Sequence, residues 1–170
     1  MRDGTTMRRS TFLLALLLPL AACTTKPPPP KPTPPPAPPP PPPPVEEDWR
    51  DRAETPGNWT YARDAAGTSA RFGKAAPLFV VHCDLASHQV SLTRVGGTAT
   101  KLRVETSYSA MDWPAQATGD GTTVSLPARD PFLDKIAYSR GRFTVAVEGL
   151  PELVLPAWAE PVRVFEDCRS

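Results

Sequence analysis

Two histidines, three cysteines and a scatter of acids and hydroxyls are what this chain can offer to chemistry. His82 stands beside Cys83, a pair that could activate a thiol if imidazole and sulfur faced one another. Residues 78–83, Leu-Phe-Val-Val-His-Cys, read as a strand, and neighbours along a strand point to opposite faces. The pair is therefore badly placed for proton transfer, and His82, flanked by apolar residues, reads as a core histidine. His88 falls at a turn, where water solvates it. A zinc site needs three or four ligands at regular spacing, and neither His-x-x-x-His nor Cys-x-x-Cys occurs. Gly-x-Ser-x-Gly and a glycine-rich phosphate loop are also missing from the sequence, so no metal, cofactor or catalytic residue is expected. Asp130 and Asp134 have the spacing of paired carboxylates, but a helix cap and a first-turn acid account for both.

Binding residues are easier to nominate. Residues 107–121 read as a long loop carrying Tyr108, Met111 and Trp113 among Pro114, Gly119 and Gly121. Loops of that length are often functional, and exposed aromatics make good anchors. The plainer reading has Tyr108 and Trp113 folding back over an open end of the core. Arg140 and Arg142, on either side of Gly141, could hold an anionic group such as a carboxylate. Bases at a helix end, favoured by its dipole, are the simpler account.

The amino-terminal residues follow another logic. Arg8-Arg9 precedes an apolar run at 11–20, and Met7 just before it offers a second initiator beside Met1. The run is too short to cross about 30 Å of hydrocarbon, which takes roughly 20 apolar residues. A basic start, a short apolar centre and small residues before a cut describe a secretory signal peptide over 1–22. Leu20-Ala21-Ala22-Cys23 resembles the lipobox of bacterial lipoproteins. The resemblance implies that the Cys23 thiol is diacylglycerated, the signal is cut before it, and the new amino group is acylated. Thr24 stands where Asp would retain such a protein in the inner membrane, which implies the outer membrane and a periplasm-facing domain.

With Cys23 taken by lipid, Cys83 and Cys168 remain as an even pair in an oxidising compartment and are expected to form a disulfide. Between anchor and domain, 15 of the chain's 24 prolines fall in residues 27–44. Proline lacks an amide donor, so this tract can enter neither helix nor sheet. Together with Cys23 it defines residues 23–44 as a polyproline II spacer, whose 18 residues 27–44 would span about 56 Å if fully extended at about 3.1 Å per residue. A proline-rich ligand for an aromatic groove is the other use of such a tract.

Residues 45–170 are left for one modest domain. Five of the 19 bases and one of the 18 acids precede residue 45, so the domain has a net charge of −3 and shows no basic stripe for nucleic acid. Strands are predicted at 59–63, 68–72, 78–83, 88–94, 98–106, 122–126, 143–148 and 152–155. Gly96-Gly97 reads as a hairpin turn joining the fourth and fifth. Asp130-Pro131 caps an internal helix with the stripe Phe132, Leu133, Ile136 and Ala137, ended by Gly141. A short helix over 160–168 would be pinned by Cys168 to the strand carrying Cys83. The class is α+β: a mostly antiparallel β-sandwich or partly open barrel with one internal and one C-terminal helix.

The order of helix, Ser139-Arg140-Gly141, two strands and closing helix resembles the C-terminal half of the invasion-associated locus B family, small exported β-sandwich proteins of proteobacteria. Arg140-Gly141-Arg142-Phe143, Pro156-Ala157-Trp158 and Glu166-Asp167-Cys168-Arg169 also resemble the tails of other bacterial lipoproteins. These resemblances imply a sandwich and bring no catalytic residues. The expectation is a noncatalytic envelope lipoprotein, bound to a membrane by its lipid and through its loops to an envelope protein or cell-wall component. The alternative is a small periplasmic hydrolase with a site built from scattered Asp, Ser and His.

Overall fold

Alternation along the strands decides which side chains meet. In Pro77–Asp84, Phe79, Val81 and Cys83 turn to one face and are buried, while Val80 and His82 turn to the other. The same period runs through its neighbours, and the computed structural model, which describes Lys26 and residues 48–170, assembles them into two antiparallel sheets. The expected signal peptide, Cys23 and the rest of the proline spacer lie outside the described residues.

The larger sheet contains β1 (Asn58–Arg63), β2 (Gly67–Gly73), β3 (Pro77–Asp84), β4 (Gln89–Val95), β7 (Gln116–Ala117) and β8 (Gly121–Pro127), in the order β1-β2-β3-β4-β8-β7. The smaller contains β5 (Lys101–Glu105), β6 (Ala110–Pro114), β9 (Arg142–Ala146) and β10 (Leu153–Pro156), in the order β10-β9-β5-β6. The two sheets do not close into a barrel, so the sandwich is the form this α+β chain takes. Phe72, Phe79, Val81 and Leu92 from one sheet join Leu102, Val104, Phe143 and Leu155 from the other in a single core. Phe72, Trp59, Phe79 and Phe143 run through it in successive edge-to-face contacts, with ring centroids 5.4 to 6.5 Å apart.

Both helices form where expected. Asp130 caps α1 (Pro131–Ala137) by accepting the Phe132 amide at 2.8 Å. Phe132, Leu133 and Ile136 are buried, and Tyr138 supplies the C-terminal cap. Gly141, at φ +78°, belongs to the turn leading into β9. The second helix, α2 (Ala159–Arg169), buries Val164, Phe165 and Cys168. Cys83 and Cys168 are bonded, with Cα atoms 5.6 Å apart, and fasten α2 to β3.

Residues 48–57 lie against the smaller sheet. Trp49 Nε1 donates to Glu105 Oε1 at 2.9 Å, and Thr55 exchanges two hydrogen bonds with the Val154 backbone, both 2.9 Å. Arg52 pairs with Glu152, and the Arg142 guanidinium donates to the Arg52 carbonyl at 2.6 Å.

Three expectations change. Gly96-Gly97 does not close a hairpin, because β4 pairs with β3 and β8 while β5 pairs with β6 and β9. The two glycines carry the chain from one sheet to the other. Gly97 passes so close to Thr122 and Val147 that a Cβ would come 2.6 Å from Thr122 Oγ1. Residues 107–121 are not one loop, since β6 and β7 form within them by pairing with β5 and β8. His82 is not in the core; it stands half-buried on the outer face of the larger sheet.

One core position carries a mismatch. Thr68, opposite Cys83 and 1% exposed, has a hydroxyl with no hydrogen-bond partner. Valine has nearly the same outline without that group, and an unsatisfied buried polar group costs about 1–3 kcal/mol. Thr68→Val is expected to stabilise the domain by about 1 kcal/mol in urea unfolding. A lower unfolding midpoint would contradict this account.

Candidate functional site

The loop aromatics separate once β6 forms. Met111 and Trp113 lie two apart on β6, on the face shared with Val104 and Leu102. Trp113 is half-buried, its ring set perpendicular to Phe132 of α1 at 4.8 Å. It is packing rather than anchor, as the fold-back reading has it. Tyr108 is 54% exposed and Met111 42%.

Tyr108 owes its position to a tight turn. The Thr106 hydroxyl donates to the Ser109 carbonyl at 2.9 Å and accepts the amides of Tyr108 and Ser109, both at 3.2 Å. The turn is braced against the end of α1. Ser139 Oγ accepts the Ser107 amide at 3.0 Å, Ser107 Oγ accepts the Arg140 amide at 2.9 Å, and Lys135 Nζ donates to Ser109 Oγ at 3.1 Å. Tyr138, 66% exposed and not singled out in the sequence, comes beside Tyr108. The two rings line a shallow depression of about 310 Å³ with Asp134 and Lys135. Tyr138 could have been found only as a large aromatic one position past a helix, off its apolar stripe. That signal is weak.

The arginine pair is not held together as a cradle. Arg142 is turned toward residues 52–54, bonded to the Arg52 carbonyl and 3.7 Å from Glu54 Oε1, whereas Arg140 is exposed.

A second concavity, of about 730 Å³, lies on the outer face of the larger sheet. Cross-strand register sets Ser69, His82 and Ser91 in one row and Arg71, Val80, Thr93 and Thr123 in the next. Asp120 stands at the rim. Hydroxyl, imidazole, guanidinium and carboxylate therefore share one groove. The bonds seen there run elsewhere, however: Thr93 Oγ1 to Thr123 Oγ1 at 2.9 Å, and Ser91 Oγ to the His82 carbonyl at 3.4 Å. Among the described residues, no hydroxyl is bonded to the His82 ring. The arrangement suits hydrogen bonding to a polar ligand more directly than activation of a nucleophile.

His88 has its Nδ1 2.7 Å from the Cys168 carbonyl and sits at φ +52°. Its ring thus has a protein partner beside the disulfide, although the residue is exposed. Among the described residues, no three His, Cys, Asp or Glu side chains gather where a metal could bind, and no helix is long and apolar enough to cross a membrane. No protein-family model, curated protein or solved structure matches the chain.

Proposed function

We propose that the protein is a lipid-anchored envelope lipoprotein whose domain binds a partner noncatalytically through the Tyr108–Tyr138 face. The observation that carries the binding half is that pair of exposed tyrosines, Tyr108 on a turn held by the side chains of Thr106, Ser107, Ser109, Lys135 and Ser139, and Tyr138 at the end of the helix the turn is braced against. Rigid aromatic groups lose little entropy on binding and dominate many interfaces. Met111, on β6, is also exposed.

The anchoring half rests on residues 1–44. Cys23 closes a lipobox-like sequence after a short apolar run, and Thr24 favours the outer membrane over the inner. Acyl chains contribute about 0.8 kcal/mol per buried methylene, so two or more hold firmly where one does not. The proline spacer then sets the domain away from the bilayer, within reach of envelope proteins and the cell wall.

Crosslinking in cells followed by mass spectrometry tests both halves. Cys23→Ser is expected to abolish lipid labelling and release the chain from membranes; labelling that persists refutes the anchor. Tyr108→Ala combined with Tyr138→Ala is expected to leave anchoring intact and reduce partner crosslinks by about tenfold or more. An unchanged partner set removes this face from the proposal.

A further inference from the structure

β1 is an outer strand of the larger sheet. Asp64 donates to the Gly67 carbonyl at 2.9 Å, which makes 64 and 67 a hydrogen-bonded pair. Two residues at a time, the register then turns the main-chain groups of Ala62, Thr60 and Asn58 toward β2. The N–H and C=O groups of Trp59, Tyr61 and Arg63 point the other way, and among the described residues they meet no partner. Exposed edges are usually blunted by proline, lysine, a bulge or brevity. β1 runs for six residues in unbroken register with neither proline nor lysine.

A groove of about 810 Å³ opens along this edge, between β1 and α2. Its floor and walls include Tyr61, Trp158 and Val162, and Trp158 is 44% exposed. Tyr61 is held in place from two sides. Its hydroxyl donates to Asp167 Oδ2 at 2.7 Å, and the Arg163 guanidinium lies 4.1 Å over its ring. The acceptance of that proton by Asp167 holds the phenol above its ordinary pKa. With Arg163 committed to the ring, the other charges lining the groove are the carboxylates of Glu160 and Glu166. Glu160 Oε2 is buried there without a hydrogen-bond partner.

We propose that this edge and groove dock an extended segment of a partner protein, which adds to the six-stranded sheet beside β1. Main-chain bonds to Trp59, Tyr61 and Arg63 supply the pairing. Alternate apolar side chains of the segment pack against Trp158 and Val162, and a Lys or Arg on the same face meets Glu160. A second copy of this chain fits less well. Antiparallel pairing through β1 would relate the copies by a twofold axis normal to the sheet and put both acidic α2 surfaces on one side, facing each other. The site is separate from the Tyr108–Tyr138 face and does not depend on it.

The test is selection of short random peptides displayed on phage against the purified full chain, followed by affinity measurements on synthetic copies. Enriched sequences are expected to alternate apolar and polar residues and to carry a Lys or Arg in the apolar register. Arg63→Pro removes an outward N–H that the β1–β2 ladder does not use, so the fold survives while the docking edge is blocked. Binding to that variant, and to Glu160→Gln, should fall by about tenfold, as should binding of peptides N-methylated at alternate amides to the unaltered chain. The N-methylated peptides decide the matter even if Arg63→Pro unfolds. Three results would each overturn the proposal: no enrichment, enriched peptides indifferent to N-methylation, or a dimer that Arg63→Pro dissociates.

Discussion

Replacing Cys83 and Cys168 together by alanine is expected to lower the unfolding free energy by about 4 kcal/mol. The bond joins residues 85 apart, and the chain-entropy model gives about that value for a loop of this length. For a domain whose total stability is about 5–15 kcal/mol, the loss is a large fraction of the whole. It should not fall evenly. Val164 and Phe165 still press α2 onto the larger sheet, so the helix keeps a docking face, but without the bond it has no covalent tie to the strand beneath it. Amide exchange is therefore expected to accelerate first in residues 159–169, ahead of β3. Urea unfolding of the double variant checks the magnitude. A loss below about 1 kcal/mol would mean that α2 is held by packing alone.

The second large effect is expected at Arg94. It lies on the core side of β4, only 5% exposed, and none of the ion pairs among the described residues involves it. Nη1 donates to the carbonyls of Leu78 and Val95 at 3.1 and 3.0 Å, and Nη2 to that of Pro151 at 3.3 Å. One side chain thus ties the start of β3 and the end of β4 to the turn between β9 and β10. The arrangement has costs: burial lowers the guanidinium's pKa, and Nε is left without a partner. Hydrogen bonds from a charged donor are worth about 1.5–3 kcal/mol each, and a methionine would leave three carbonyls to find water or remain unpaired. Arg94→Met is expected to cost about 3 kcal/mol after the relieved desolvation of the charge is credited. Arg94→Lys keeps the charge but not the planar fork, and should cost about half as much. Equal losses for the two variants would show that the fork alone matters at this position, and no loss for Arg94→Lys would show that charge suffices.

These two positions also mark what could be read in advance. The pairing of Cys83 with Cys168 followed from parity once Cys23 was set aside for lipid, and the cap at Asp130 followed from local chemistry. The strands β1 and β2 were legible because each is one contiguous run of strand-forming residues. Alternation in β4 and β5 located both strands, yet it is silent about partners. A sandwich can send consecutive strands to different sheets, and Gly96-Gly97 allows that crossing as readily as a hairpin. β6 escaped notice because Asp112 and Pro114 disfavour a strand and Trp113 alone does not signal one; pairing with the β5 edge imposes it. His82 was misplaced because the run 78–83 is apolar on both faces, which suits a fully covered strand, whereas here the outer face of β3 forms the floor of an open groove. Of the candidate site, Tyr108 and Met111 were legible as large side chains near turn residues. Tyr138 was not, since only the long-range brace from Ser107 to Ser139 brings it alongside.

The lead-in at residues 48–57 has a mechanical meaning. A pull arriving from the N-terminal side does not reach β1 first. It loads Trp49 on Glu105, Arg52 on Glu152 and Thr55 on Val154, contacts spread along a stretch of backbone and made to the other sheet. A chain fastened ahead of its first strand by several spaced contacts shares tension among them, whereas a strand pulled from its end parts one bond at a time. Thermal drag on the domain would be absorbed at this clasp, and the sandwich would feel it only after the clasp had given way.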